Sequence, residues 1–158
     1  GDIESNIARS LSNPRKMCVA AEGRWSLTTY KVIHYFHCFA LLKVRLETGR
    51  MHQIRVHFAD RGFPILGDLL YNTRRQVHIL VPENMKRKVT ELLTTHLLRQ
   101  ALHAWRLQFT HPNSGRELDL TAGLPSDLLY TLQWLQRYFA VDSEPLDINL
   151  VLKENEQW

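Results

Sequence analysis

Residues 46–71 read LETGRMHQIRVHFADRGFPILGDLLY. Arg50, His52, Gln53, Arg55 and His57 crowd into eight positions, directly after a Thr48-Gly49 break, and a second turn cluster follows at Gly62, Pro64 and Gly67-Asp68. A surface helix has no need of so many planar, hydrogen-bonding side chains in its first turn. A site that grips an anion or a nucleotide does. The pattern predicts a helix from about Arg50, with Met51, Ile54 and Phe58 as its buried stripe at spacings of three and four, and with Gly62 closing it. On that phase His52 and Arg55 share a second face, and Gln53 and His57 a third.

Upstream, Trp25 to Phe36 is dense in Thr, Tyr, Val and Ile and predicts a strand. A short connection through His37-Cys38 leads to a second strand, in which Leu42, Val44 and Leu46 alternate with Lys43, Arg45 and Glu47. These two make a hairpin that delivers the chain to Thr48. Before them, Gly1 to Gly23 is turn-rich around Ser12-Asn13-Pro14 and is expected to be an extended, loosely ordered arm carrying Arg9, Arg15 and Lys16.

Downstream, Met85, Val89, Leu92, Leu93 and Leu97 keep helical spacing. They are expected to be core, beside a solvated face of Lys86, Arg87 and Lys88 that touches a polyanion at most. Trp105, Leu107 and Phe109 alternate with polar residues, His111-Pro112-Asn113-Ser114-Gly115 is a turn signal, and Glu117 to Leu120 is the returning strand. Pro125-Ser126-Asp127 opens a helix whose stripe is Leu128, Leu132, Leu135 and Phe139. Hairpins mixed with separated helices predict an α+β fold, a mixed, largely antiparallel sheet with flanking helices. The weak boundary near residue 140 divides a body, 1–140, from an acidic tail, 141–158.

The 158 residues suit one ordinary domain, and 44% hydrophobic content supports a core. No apolar run approaches the roughly 20 residues needed to span a bilayer, and no charged-then-apolar leader opens the chain. The start at Gly1 without methionine suggests a processed chain or a piece of something longer. Cys18 and Cys38 lack C-x-x-C spacing and are expected to be ordinary thiols, as in a cytoplasmic protein. Residues 1–116 carry 18 Lys/Arg against 8 Asp/Glu, and residues 117–158 carry 2 against 8. A basic body with an acidic tail fits a polyanionic partner, most simply nucleic acid, although a solvated basic surface explains the charge equally well.

Several chemistries drop out. His52 and His57 are five apart rather than four, and H-E-x-x-H is absent, which argues against zinc. There is no G-x-S-x-G elbow, no base beside either cysteine, and no phosphate-loop or dinucleotide glycine spacing. Arg50 and Arg55 remain. Five positions apart on a helix they diverge by about 140°, so Arg50 is placed to meet phosphate. Arg55 either points inward to a carboxylate that it keeps ionised or makes an ordinary internal salt bridge. Of the nearby carboxylates, Asp60 sits at an exposed helix end and Asp68 reads as a turn cap.

At these residues the chain resembles the RluA/RluC/RluD-type RNA pseudouridine synthases. The resemblance rests on Leu46-x-Thr48-Gly49-Arg50-x-His52-Gln53-Ile54-Arg55-x-His57 and on Gly62-x-Pro64-Ile65-x-Gly67-Asp68-x-x-Tyr71. Further matches are Gln100-Ala101-Leu102-His103-Ala104, Phe109-x-His111-Pro112-x-x-Gly115 and Leu124-Pro125-x-Asp127-Leu128, with the arm from Ile7-x-Arg9 to Lys16-Met17. The likeness covers about residues 1–130, loosely over 73–99, and leaves out the tail. It implies isomerisation of uridine to pseudouridine in structured RNA, ribosomal first and transfer RNA second, using an aspartate and a flipped base, with no cofactor, metal or membrane. It implies that body residues 1–140 are the C-terminal portion of the catalytic domain. It implies that Arg55 pairs with the catalytic aspartate and that Arg50, His52 and Gln53 help form the RNA-facing wall, to which His57 of the same cluster is added.

The departures are specific. The family's H-R-L-D-x-x-T-S-G segment, which carries the aspartate, and its K-x-Y-x-A-L-V stretch are not in this sequence. Met51 stands where Thr or Ser is usual, and Phe63 where His is common. The expectation is therefore a synthase chain that is inactive by itself. The alternatives are a non-catalytic RNA-binding module derived from the same fold and a basic body that binds an acidic protein.

Overall fold

The computed structural model describes residues 1–72, 77, 79–141 and 146–147. Four strands, β1 (Asp2–Arg9), β2 (Met17–Val19), β3 (Arg24–Phe36) and β4 (Phe39–Leu46), form an antiparallel sheet in the order β2-β1-β3-β4. After it come α1 (Gln53–Asp60), a 3-10 turn at Glu83–Met85, and α2 (Lys86–Glu91), which runs into a π-helical turn at Leu92–His96. A separate antiparallel hairpin, β5 (Arg106–Thr110) and β6 (Glu117–Thr121), precedes α3 (Ser126–Phe139). This is the α+β arrangement with flanking helices that the sequence pattern predicts.

The first 23 residues are the main correction to that pattern. They are not a loose arm: β1 pairs along most of its length with β3, from Asp2 opposite Thr29 to Ile7 opposite Arg24, and its end pairs with β2. Ile3 and Ile7 are buried while the residues between them are polar. A strand with only two inward apolar residues carries a weak periodic signal, and its order comes from a backbone ladder supplied by residues far away in sequence. Ser12-Asn13-Pro14 merely turns the chain, with the Lys16 amide donating to the Asn13 carbonyl at 2.9 Å.

The sheet is covered on one face by α1, which packs against β1, β2 and β3. A second, larger core gathers Phe36 from the end of β3, Val77 and Val81, Val89 of α2, Leu93 and Leu97, and Leu128, Leu132, Leu135 and Phe139 of α3. The helical spacings at 85–97 and 128–139 are therefore core stripes, as expected. The acidic tail beyond 141 lies outside the described residues apart from Leu146 and Asp147.

Gly67 links the two parts. Its backbone is left-handed (φ +73), and a Cβ there would stand 2.3 Å from the Arg99 carbonyl oxygen. Beside it the Ala101 amide donates to the Leu66 carbonyl at 2.8 Å. Only glycine permits this approach.

The β5–β6 hairpin puts Leu107 opposite Leu120 and Phe109 opposite Leu118 on one face. The other face carries Arg106, whose Nε donates to Asp119 Oδ1 at 2.8 Å, and Gln108, which donates to Asp119 Oδ2 at 2.9 Å. The apolar face stays open, with Leu107 58% and Leu120 52% exposed.

Candidate functional site

The eight-position cluster divides into an inner half and an outer half, and α1 starts later than the pattern suggests. His52 takes a left-handed backbone (φ 57, ψ 20), so Thr48 to His52 is a turn and the helix begins at Gln53. Met51 is 46% exposed instead of heading the buried stripe, which consists of Gln53, Val56, His57 and Phe58. The helix phase differs from the predicted one because the polar residues face inward.

Gln53 (2% exposed) and His57 (0% exposed) therefore cannot form part of an RNA-facing wall. They latch α1 to the sheet. Gln53 Oε1 accepts from the Thr48 hydroxyl at 2.8 Å and from the Arg50 amide at 3.0 Å. Its amide nitrogen donates to the Leu27 carbonyl at 2.9 Å and to the Thr28 hydroxyl at 3.0 Å. Thr28 in turn lies 2.9 Å from His57 Nδ1, and His57 Nε2 lies 3.0 Å from both Ser5 and Ser26 Oγ. Ser26 gives its single proton to the Ser5 carbonyl at 2.6 Å, so it must accept from His57. That assigns the proton to Nε2 and leaves Nδ1 to accept from Thr28. The ring is neutral. Burial holds its pKa below the ordinary 6.5, with Asp60 raising it and Arg61 lowering it by smaller amounts.

The outer half is built around Arg55. Its Nε and Nη2 donate to Asp68 Oδ2 and Oδ1 at 2.7 and 2.8 Å, a two-pronged pair whose carboxylate is fully buried. Asp68 also caps its own turn, accepting from the Leu70 and Tyr71 amides at 3.0 and 3.2 Å. Burial pushes the Asp68 carboxyl up, but the bonds from Arg55 and these amides outweigh it and leave the pKa below 3.8. Both sequence readings of Arg55 describe this pair, an internal salt bridge to a buried carboxylate that stays ionised, and the partner is the residue read as a turn cap. The spacing that could have revealed it is Gly67-Asp68-x-x-Tyr71, which folds a carboxylate and a phenol back onto the helix.

Tyr71 is the hub that pattern reading passed over. Its ring lies 4.9 Å from the Arg55 guanidinium carbon and 5.7 Å from Lys16 Nζ. Its hydroxyl accepts from the Met17 amide at 2.7 Å and lies within hydrogen-bond distance of His52 Nδ1, at 2.9 Å. Burial lowers the pKa of His52, the charge of Arg55 adds to the effect, and Asp68 opposes it. The structure accordingly groups Arg55 and His52 with Asp68 and Tyr71. Arg50 stands apart, its Nε donating to the Trp25 carbonyl at 3.2 Å.

None of these residues lines the cavity of about 130 Å³ between Gly67–Asn72 and Leu93–Leu98, whose walls are mainly apolar. No cluster of three or more His, Cys, Asp or Glu side chains with metal-binding geometry occurs among the described residues. Both cysteines are free thiols. No described helix is long and apolar enough to cross a membrane.

A family model described as RNA pseudouridylate synthase matches residues 1–60. A protein of Chloroflexus aurantiacus named an uncharacterized RNA pseudouridine synthase is 41% identical over 136 residues, 86% of this chain and 38% of that protein. The ribosomal large subunit pseudouridine synthase D of Vibrio cholerae is 39% identical over 82% of this chain and 38% of its own length. The chain belongs to the RluA/RluD-type RNA pseudouridine synthase family. In a pseudouridine synthase D of Neisseria meningitidis the likeness extends over 100% of this chain, at 35% identity. This family member spans about two fifths of the length of these curated relatives. Its fold is also that of human RNA pseudouridylate synthase domain containing 4, with a TM-score of 0.58 and 23% identity over 85% of this chain and 56% of that one. The domain containing 1 protein gives 0.56 and 24% over 90% and 61%.

Proposed function

We propose that this chain is the arginine-bearing part of an RNA pseudouridine synthase that isomerises uridine in ribosomal RNA, with transfer RNA as the second candidate, in the cytoplasm. The observation that supports this best is the state of Arg55. Two of its nitrogens are fixed on Asp68, the ring of Tyr71 lies against it, and Nη1 has no partner among the described residues. A guanidinium held in this way is preorganised to meet a second carboxylate and keep it ionised. The reaction breaks the N–C glycosidic bond, rejoins the base through carbon, and returns a proton to the nitrogen in place of the one lost from carbon. It therefore needs a persistently charged aspartate and no net reactant. His52 and Arg50 hold the RNA, and flipping the target base costs a few kcal/mol that pocket contacts offset.

Asp68 is unsuited to be that aspartate, since it is buried and both its oxygens are committed. Nucleoside analysis of uridine-containing RNA after incubation tests the reading. The 158 residues alone form no pseudouridine. The parent protein carrying an H-R-L-D segment forms it, and Arg55→Ala in that parent abolishes it. Pseudouridine formed by the isolated chain would overturn the assignment of roles. A parent with no such segment that nevertheless binds RNA would make this a non-catalytic RNA-binding module.

A further inference from the structure

We propose that Trp25 and Arg50 together form a docking point for one unpaired nucleotide, in which the indole stacks on the base and the guanidinium takes the adjoining phosphate. The inference rests on the RNA reading above and extends it to residues outside the Arg55 cluster. Alternation along β3 decides which way Trp25 faces. Ser26 and Thr28 are buried against His57 under α1, so Trp25, Leu27 and Thr29 lie on the opposite face of the sheet.

Trp25 is 49% exposed there. A singly exposed apolar side chain is ordinary, but this one is held in position. Its indole N–H donates to Glu4 Oε1 on the neighbouring strand at 2.6 Å, fixing the plane of the ring. No aromatic ring or cation among the described residues covers either face of it. The ring is thus oriented in advance and unstacked, the state of a platform for a base, because every base offers a π-face and a fixed ring loses little entropy on stacking.

Arg50 is beside it for a structural reason. β4 ends at Leu46, which leaves the Trp25 carbonyl without a strand partner, and Arg50 Nε supplies the missing donor. That single bond anchors the guanidinium at the root of the platform and leaves both terminal nitrogens without a partner among the described residues. A planar fork with two free donors suits a phosphate. An acidic protein segment would use the charge of Arg50 but would have little use for an open indole, so the pair favours RNA over such a partner.

The test is equilibrium binding of the full chain to a single-stranded oligouridine, read by anisotropy at several salt concentrations, with circular dichroism as the check on folding. Wild type is expected to bind with salt-dependent affinity. Trp25→Leu should weaken binding about tenfold with the salt slope unchanged, and Trp25→Phe should recover part of the loss, as base stacking requires. Arg50→Gln should reduce the slope of log K against log salt by about 0.7, the loss of one phosphate contact to a single strand. Trp25→Leu binding as tightly as wild type overturns the inference while leaving the RNA reading intact. Equal losses for leucine and phenylalanine overturn stacking. A wild-type chain that ignores RNA but binds an acidic peptide overturns both.

Discussion

Asp68 joins two roles in one side chain, closing a turn through the Leu70 and Tyr71 amides and neutralising Arg55. Removing its charge leaves a half-buried guanidinium with nothing opposite it, so Asp68→Asn is expected to cost about 3 kcal/mol in urea unfolding. Arg55→Lys should lose much of the same, because an ammonium cannot make the two-pronged contact. His57 titrates in a different window. Its folded pKa lies below the unfolded 6.5, so the unfolded chain binds the proton first on acidification. The stability that neutral His57 contributes is therefore complete above pH 6.5 and declines as pH falls through and below that value. His52, lowered in the same direction, adds to the slope. In thermal melts between about pH 7 and 5, His57→Gln should lower stability throughout and make it less pH-dependent. The contribution of Asp68 is present above 3.8 and is lost only at still lower pH.

Among the elements, those whose apolar residues keep a clean period were legible in the sequence. The β3–β4 hairpin and α3 fall where alternation and the Pro125-Ser126-Asp127 opening put them. β1 and the start of α1 were not, for one shared reason. In both, polar side chains point inward and are satisfied by partners from distant parts of the chain, as Gln53 is by Leu27 and Thr28. Period-based reading sends such residues outward. The 66–68 turn depends on backbone proximity, which side-chain pattern does not encode. Gly67→Ala brings a methyl to 2.3 Å from the Arg99 carbonyl in a left-handed conformation, and should cost about 2 kcal/mol or more. Gly123→Ala, with open space around its Cβ position, should stay within about 0.5 kcal/mol of wild type. Denaturant midpoints for the two variants decide whether this approach holds the turn.

At the scale of the whole molecule, the open face of β5–β6 stands out. A two-stranded hairpin with one bare apolar face is a poor free-standing element in water, and Leu107, Phe109 and Leu120 are exposed together. Replacing Leu107 and Leu120 by lysine removes apolar surface that is more than half exposed. The expected result is reduced self-association in sedimentation, with an unfolding midpoint within about 0.5 kcal/mol of wild type. A large loss of stability would mean that the face is packed in solution.

The linear sequence by itself determined which residues cluster. The spacing of Arg50, His52, Gln53, Arg55 and His57, the Gly67-Asp68 turn and the helical stripes are short-range facts, and they were enough for fold class and family. Only the tertiary structure decided what those residues do. Gln53 and His57 enter a buried latch, and His52 and Arg55 a half-open site, because the sheet lies under one side of α1 and Tyr71 folds over the other. Arg55 has a carboxylate because a turn thirteen residues later returns to it. Inward and outward are properties of packing against distant strands, and periodicity can infer them only where apolar residues mark the inner face.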